Sequence, residues 1–230
     1  MSNFLSMPNE HLHLIKPCLT LQASPVGPNR FFGQAQGHST DVWPTYRDGE
    51  ESLPLHLLAF IDTDTLPVEM QSAYGGPGLF VQLFVGHLDN NIWTLEKEPF
   101  AVLSVPKSLA VPLDFHPSLD MRSPVFFDFK PEKNDLPFET LKSNHADIQA
   151  LFDWTRDQGI NTEAFHEWED KVGGWPSLEQ GDMEQFNEKG TVLLQLGGFN
   201  SLAGDDYVFD GHGWLIKKEN GDFIWATTSS

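Results

Sequence analysis

The hydrophobic pattern divides the chain into short apolar runs separated by turn residues. Leu55 to Ile61 is a nearly continuous apolar run between Pro54 and Asp62, which predicts a buried β-strand. Leu79 to Val85 follows a glycine-rich turn and predicts a second strand, whose alternate side chains face opposite sides of a sheet. The same reasoning predicts further strands at Ile92 to Leu95, Val192 to Leu196, Trp214 to Lys217 and Phe223 to Ala226.

Helical spacing is concentrated in the middle of the chain. Apolar residues three, four or seven apart predict a helix over Thr140 to Asp157, and Thr162 to Lys171 is predicted as a second, shorter helix. Seven prolines between Pro99 and Pro137 break that stretch into extended pieces such as Val125 to Phe129. Prolines at this density favour edges and connections over helices and central strands. The predicted fold class is therefore α+β, strand-rich and mostly antiparallel.

Two stretches of the chain resemble one another in order. The first contains four landmarks that recur in the second: Trp43-Pro44, Leu58, Gly78 and Trp93 are followed by Trp175-Pro176, Leu193, Gly213 and Trp225. The offsets are 132, 135, 135 and 132 residues. This regularity predicts two similar repeats, approximately residues 30–95 and 170–226, that form one pseudo-symmetric globule. Residues of approximately 99–170 then form a proline-rich and helical connection within a single domain of residues 1–230.

These segments resemble the YwqG-like family of bacterial proteins, for which no catalytic residues are established. The resemblance is carried by Lys171-Val172-Gly173-Gly174-Trp175-Pro176, Gln180-Gly181-Asp182, Leu193-Leu194-Gln195-Leu196, Gly211 to Ile216 and Phe223 to Ala226. In the first copy, Phe32-Gly33-Gln34 stands where the family pattern has the Gly-Gly pair. The resemblance implies a two-copy α+β fold, and an immunity role, since relatives look like neighbours of secreted toxins.

Residues with catalytic or metal-binding chemistry are few. His11 and His13 would offer two metal ligands from one strand face, but a site needs a third ligand. Asp62-x-Asp64 and Asp205-Asp206 follow predicted strands, where Asp is a preferred turn residue, so we interpret them as turns. Histidine 56, within an apolar run, is interpreted as a core residue, and Cys18 as an inert buried thiol.

The cysteine content and the first residues of the chain predict the cellular compartment. Cys18 is the single cysteine, so neither an intrachain disulfide nor a thiolate zinc cluster is expected. Met1 to Leu14 lacks Lys, Arg and a long apolar core, so no secretory signal is predicted. We expect a cytoplasmic monomer that binds no nucleic acid and no membrane.

Charge is the most informative functional feature. The chain has 33 acidic and 14 basic residues, a net charge of −19, which repels anionic surfaces and steers basic partners. Between Asp128 and Glu188 there are 15 acidic and 5 basic residues, with Trp154, Trp168 and Trp175 interleaved. Two interpretations are open: an acidic surface with tryptophan anchors that binds a basic protein, or a solvated helical face over core tryptophans.

The favoured hypothesis is an immunity protein that neutralises a cognate basic toxin, such as a secreted nuclease, by stoichiometric occlusion. The residues predicted to bind the toxin are Asp153, Asp157, Glu163, Glu167, Trp168, Glu169, Asp170 and Glu179. The alternatives are a general cytosolic interaction module or an enzyme whose site forms only in three dimensions. For an enzyme, Asp62, Asp64 and His212 are the first candidates. No cofactor, metal or catalytic residue is predicted.

Overall fold

A computed structural model describes residues 7–86, 99–119, 122–130, 133–135, 137, 146–160, 169–176, 190–197, 201–203 and 212–227. The strands in these ranges are β1 (Lys16–Ala23), β2 (Arg30–Phe31), β3 (Gln36–Gly37), β4 (Thr45–Asp48), β5 (Glu51–Pro54), β6 (His56–Asp62), β7 (Leu79–Val85), β8 (Phe100–Pro106), β9 (Val111–Pro112), β10 (Val125–Phe129), β11 (Lys133–Asp135), β12 (Lys171–Gly173), β13 (Gly190–Gly197), β14 (His212–Lys218) and β15 (Phe223–Thr227). The helices are α1 (Val68–Gln71) and α2 (Ala146–Asp157), with 3₁₀ turns at Asn9–Leu14, Thr63–Thr65, Ser72–Tyr74 and Lys107–Leu109.

One large antiparallel sheet organises the described chain. Its strand order is β15-β14-β13-β12-β1-β10-β2-β6-β7-β8, and β11 pairs with β1 beside this path. Two small two-stranded sheets, β3–β9 and β4–β5, lie apart from it. The prediction of a strand-rich, mostly antiparallel α+β fold is therefore confirmed.

The apolar runs become strands where the pattern predicts them. Strands β6, β7, β13, β14 and β15 coincide with predicted strands to within two residues at each end. In β7 the two faces separate as expected, since Val81, Leu83 and Val85 enter the largest core cluster and Phe84 enters another. The strand predicted at Ile92 to Leu95 lies outside the described residues, and the described partner of β7 beyond it is β8.

The prediction that the proline-rich stretch forms only edges and connections is wrong for β10. This strand lies at the centre of the sheet, between β1 and β2. Pro124 precedes β10 and Pro131 follows it, so neither proline removes a hydrogen-bond donor from within the strand. Strand β8, by contrast, does lie at one end of the described strand order.

The two halves of the strand order correspond when the strands of each half are counted from its outer end. Strands β6 and β13 are each the third from their end, and β1 and β10 are the central pair. Both third strands change register at one residue, at Leu58 in β6 and at Leu193 in β13. An inserted residue of this kind is a β-bulge, which bends the strand and redirects its side chains.

The two tryptophans of the first landmark pair do not hold corresponding places. Trp43 lies in the connection between β3 and β4, and its indole Nε1 donates to the Leu55 carbonyl at 2.7 Å. Trp175 lies two residues after the end of β12, and its indole Nε1 donates to the Leu14 carbonyl at 2.8 Å. In the last landmark pair, Trp93 and Trp225, Trp93 lies outside the described residues.

The largest hydrophobic cluster joins both ends of the chain. It contains Phe31, Leu58 and Leu83 from the first half and Leu193 and Leu215 from the second. The turn that follows β6 is also attached to the second half, because the Tyr74 hydroxyl donates to the Leu193 carbonyl. These non-local contacts hold the two halves of the sheet together.

The predicted helices are only partly described. Helix α2 confirms the helix for residues 146–157, and residues 138–145 lie outside the described chain. The second predicted helix falls mostly on residues 161–168, which are also outside it. Its predicted last residue, Lys171, begins strand β12 instead.

Candidate protein-binding surface

Helix α2 lies on a hydrophobic face of the sheet. Its buried residues are Ile148, Leu151, Phe152 and Thr155, and the same core cluster contains Val192, Trp214 and Ile216 of β13 and β14. Gly159, with φ 64°, ends the helix, and its N–H donates to the Arg156 carbonyl at 3.0 Å. The helix therefore presents one fixed face to solvent.

That outward face carries three carboxylates. At 3.6 residues per turn, Asp147, Asp153 and Asp157 fall within an arc of about 120° opposite the buried residues. Asp147 and Asp157 are exposed, and Asp153 is partly exposed. Arg156 Nη2 contacts Asp153 Oδ1 at 2.7 Å, so one of the three charges is locally balanced. Together with Trp154, we call these three aspartates the α2 acidic surface.

Tryptophans border this surface. Trp154 is half-buried and its ring lies 6.4 Å from the His11 ring. Trp175 is also half-buried, and the Lys16 ammonium lies 3.6 Å from the centre of its indole ring. Both side chains pack against the core cluster beneath α2 and keep part of their area accessible. These tryptophans are therefore neither fully exposed nor fully internal, and the protein-binding interpretation stays a prediction.

Of the four predicted binding residues that the structure describes, two lie together on one helix. Asp153 and Asp157 lie one turn apart on α2. Glu169 is exposed and lies in the segment just before β12, not on α2. Its carboxylate lies 3.4 Å from the Lys130 ammonium. The other four predicted binding residues lie outside the described residues: Glu163, Glu167, Trp168 and Glu179.

The placement of Asp170 on an exposed face is wrong. This residue is 2% exposed, and its carboxylate accepts three hydrogen bonds from the chain after β13. The donors are the Gly197 N–H at 2.7 Å, the Ser201 hydroxyl at 3.1 Å and the Leu202 N–H at 2.6 Å. Burial raises the pKa of the Asp170 carboxyl to about 6, and these hydrogen bonds act in the opposite direction. Asp170 therefore anchors a loop.

A similar anchor lies in the first half of the sheet. Asn29 precedes β2 as Asp170 precedes β12, and its Oδ1 accepts from the Asp62 N–H at 2.8 Å at the end of β6. Its Nδ2 donates to the Thr65 hydroxyl at 3.0 Å. An amide side chain suits this position because the Asp62 N–H is a hydrogen-bond donor and the Thr65 hydroxyl oxygen is an acceptor. Sequence reasoning missed both anchors, although each polar residue stands directly before a short strand.

The turn interpretation of Asp62 and Asp64 is confirmed. Asp62 accepts from the Asp64 N–H at 3.0 Å, and Asp64 accepts from the Gly78 N–H at 2.7 Å. The Lys107 ammonium contacts both carboxylates, at 2.7 and 2.9 Å, and lowers the pKa of the Asp64 carboxyl through its hydrogen bond. Asp205-Asp206 lies outside the described residues.

The three enzyme candidates are not assembled into one site by the sheet. Every neighbouring pair from β6 to β14 is antiparallel, so these two strands run in the same direction. Asp62 ends β6 and His212 begins β14, which places them at opposite edges of the sheet. His212 is buried and stacks on Trp214, with ring centres 5.7 Å apart.

The predicted histidine pair does not share a strand face. His11 and His13 lie in the 3₁₀ turn Asn9–Leu14, where His11 is buried and His13 is exposed. Across the described ranges, no group of three or more His, Cys, Asp or Glu residues is arranged to hold a metal ion. His56 lies at the start of β6 and is half-exposed, so its assignment to the core is wrong. Cys18 is buried, as predicted.

One buried ion pair was not predicted at all. The Lys171 ammonium lies 2.8 Å from the Asp135 carboxylate, and both side chains are fully buried. The same carboxylate accepts from the Trp175 N–H at 2.7 Å. Thus a segment that sequence reasoning assigned to an acidic surface contributes two aspartates, Asp135 and Asp170, to the interior.

The fold and this surface define a strand-rich antiparallel α+β protein with an acidic helix on one face. The chain belongs to the family described as a domain of unknown function, DUF1963, whose profile matches residues 29–219. No curated protein and no solved structure matches the chain significantly. Within the described residues, none of the helices has the length and apolar character needed to cross a membrane.

Proposed function

We propose that this chain is an immunity protein that binds a cognate basic toxin, such as a secreted nuclease, and neutralises it by stoichiometric occlusion. The observation that carries this proposal is the α2 acidic surface, in which three aspartates surround the half-buried Trp154 on a helix fixed to the sheet. A nuclease uses Lys and Arg to hold phosphates, so an acidic protein has the charge needed to cover that surface.

The position of the aspartates supports a role in recognition. Asp157 is the last residue of α2, where the helix dipole disfavours negative charge. A carboxylate at this end of a helix is destabilising by roughly 0.3–1 kcal/mol at an exposed position. Helix stability therefore does not explain Asp157, whereas attraction of a basic partner does.

Two contributions to binding are expected at such an interface: electrostatic attraction, which raises the association rate, and a few buried aromatic side chains, which supply most of the affinity. A field of one sign raises association rates by roughly 10- to 1,000-fold at low salt, and screening over about 8 Å reduces the gain at physiological ionic strength. Trp154 supplies a partly accessible aromatic surface within the field. Glu163, Glu167, Trp168, Glu169 and Glu179 stay in the proposed interface, and Asp170 leaves it because it is buried.

We also propose that the two halves of the sheet are copies of one unit and that the family includes the YwqG-like proteins. The matching strand order and the bulges at Leu58 and Leu193 support duplication. Two consecutive residues with positive φ follow the start of β2 and β12 alike, Phe32-Gly33 and Gly173-Gly174. An experimental structure in which β6 and β13 do not superpose with their neighbouring strands would refute the duplication.

The binding proposal is tested with a matched pair of charge-reversal variants. Asp147→Lys/Asp157→Lys alters the α2 acidic surface, and Glu50→Lys/Glu51→Lys alters exposed residues at the β4–β5 turn. Both variants change the net charge by +4. The helical variant should fold, because the dipole disfavours Lys at residue 147 and favours it at residue 157 by similar amounts.

The assay uses the tagged wild-type chain and both variants in the native host, with quantitative mass spectrometry of the captured proteins. We expect a basic protein to be retained by the wild type and the hairpin variant and lost from the α2 variant at physiological salt. Co-expression with that protein should then restore growth only for the chains that retain it. Equal retention by the two variants, or growth that does not follow retention, would exclude the α2 acidic surface as the toxin-binding site.

A further inference from the structure

Strand β8 forms an open edge of the large sheet. It pairs with β7 on one side, and within the described residues no strand pairs with its other side. An edge strand presents a row of backbone N–H and C=O groups with which another chain can pair. This edge lies at the opposite end of the strand order from β13 and β14, which support α2, so it is separate from the α2 acidic surface.

Hydrogen bonds just outside both ends of the β7–β8 ladder show which backbone groups of β8 point outward. The Lys107 N–H donates to the Gly78 carbonyl at 2.9 Å, and the Gly86 N–H donates to the Pro99 carbonyl at 2.7 Å. Hydrogen-bonded pairs alternate along an antiparallel ladder, so every second residue between Pro99 and Lys107 bonds to β7. The residues whose N–H and C=O groups both point away from β7 are Phe100, Val102 and Ser104.

These outward groups are available for pairing. Across the ranges that the structure describes, the backbone N–H and C=O groups of Phe100, Val102 and Ser104 have no hydrogen-bond partner. Phe100 and Val102 are half-exposed and Ser104 is exposed, so the described chain does not cover this edge. A strand laid beside β8 would meet a complete set of donors and acceptors.

The side chains of β8 favour an uncharged partner strand. The segment from Pro99 to Pro106 contains no charged residue, although the chain carries a net charge of −19. Phe100 and Val102 pack against the largest core cluster, and side chains on the other face of β8 pack against a second cluster. An added strand would therefore extend both apolar faces. Because this edge lacks acidic residues, it does not attract a basic toxin, and pairing with itself places no like charges opposite each other.

The edge is also complementary to itself. In antiparallel pairing of two β8 strands centred on Val102, the two copies of Val102 lie opposite each other and Phe100 lies opposite the partner's Ser104. The large ring thus faces a small side chain. Each of the three outward residues donates one hydrogen bond and accepts one. A shift of two residues would bring Pro106, which has no N–H, into the ladder and lose hydrogen bonds.

We propose that β8 pairs with β8 of a second copy of this chain, antiparallel and centred on Val102, in place of the monomer expected from the sequence. The resulting dimer has two-fold symmetry, since the same surface serves both copies. A ladder this short buries less than the roughly 1,200–2,000 Å² of a stable interface, so we expect a dissociation constant on the order of 100 μM. Both copies are strongly negative, so self-association should strengthen with salt, whereas binding of a basic protein should weaken.

Cysteine cross-linking of the full chain tests the register. In the proposed dimer the two Cα atoms at residue 102 are about 5.5 Å apart, which suits a disulfide. The two at residue 104 are about 13 Å apart, too far for one. We expect mild oxidation to give Val102→Cys at least roughly tenfold more covalent dimer than Ser104→Cys. The wild type should give none, because Cys18 is buried.

Charged variants test the same contact without a covalent bond. Sedimentation at about 500 μM should show dimers of the wild type, and monomers of Val102→Lys alone and of Val102→Glu alone. An equimolar mixture of these two variants should form dimers again, which also shows that both are folded. Val68→Lys, at an exposed residue of α1, is the control and should dimerise like the wild type. Equal cross-linking at residues 102 and 104, a monomeric wild type, or no dimer in the mixture would each overturn the proposal.

Discussion

Replacing Asp170 by Asn tests how a buried carboxylate anchors the loop after β13. Asp170 Oδ1 accepts from the Gly197 N–H and Oδ2 accepts from the Leu202 N–H. An Asn side chain has one acceptor oxygen, so one of these two N–H groups loses its acceptor in either orientation of the amide. A buried donor left unsatisfied costs about 1–3 kcal/mol, and this cost does not depend on pH.

The carboxyl adds a second contribution that does depend on pH. Its pKa is raised by burial to about 6, whereas an unfolded Asp has a pKa of about 3.9. The folded state therefore binds the proton more tightly between about pH 4 and pH 6. Stability must fall as pH rises through that window, because ionisation is disfavoured only in the folded protein. A shift of about two pKa units corresponds to about 3 kcal/mol.

The measurement is urea unfolding of the wild type and Asp170→Asn from about pH 4.5 to about pH 7.5. The difference in unfolding free energy, wild type minus variant, should decrease by about 2 kcal/mol across this range. Other titrating groups cancel in the difference, and Asp157→Asn at an exposed position serves as the control. A difference that stays constant or increases with pH would refute the reasoning, since the three hydrogen bonds would then outweigh burial.

Two further substitutions probe the interior between β1 and β12. Lys171→Met should destabilise the protein by about 3–5 kcal/mol, because the buried Asp135 carboxylate loses its ammonium partner; an unchanged thermal midpoint would contradict this. Gly173→Ala places a Cβ 2.7 Å from the Pro17 carbonyl oxygen in addition to the strain of φ 73°, so it should cost more than Gly221→Ala. Gly221 has a φ of 91° and open space around it, so its substitution should cost only the strain of about 1–2 kcal/mol; equal losses in chemical denaturation would contradict the contact.

Local sequence determined the elements whose identity depends on neighbouring residues. The apolar runs of β6, β7 and β13 and the helical spacing of α2 each require burial of one particular face or segment, and that requirement is present in the sequence itself. The turn at Asp62 follows in the same way, since an Asp carboxylate hydrogen-bonds backbone N–H groups two residues away.

Tertiary structure alone decided which acidic residues face solvent. Asp153 and Asp170 belong to the same acidic run of the sequence, yet one lies on the outer face of α2 and the other beneath a loop. The difference comes from donors at Gly197 and Leu202, which are distant in sequence and meet the carboxylate only after β12 pairs with β13. No local pattern contains that information, because a buried charge is specified by its partners.

The same holds for the centre of the sheet. Strands β1 and β10 are more than 100 residues apart in sequence, and their pairing joins the two halves. Local sequence thus specifies strands such as β6 and β13, helix α2 and the net charge. Long-range strand pairing decides the sheet order and the buried charges, because the chain must close long loops before these contacts can form.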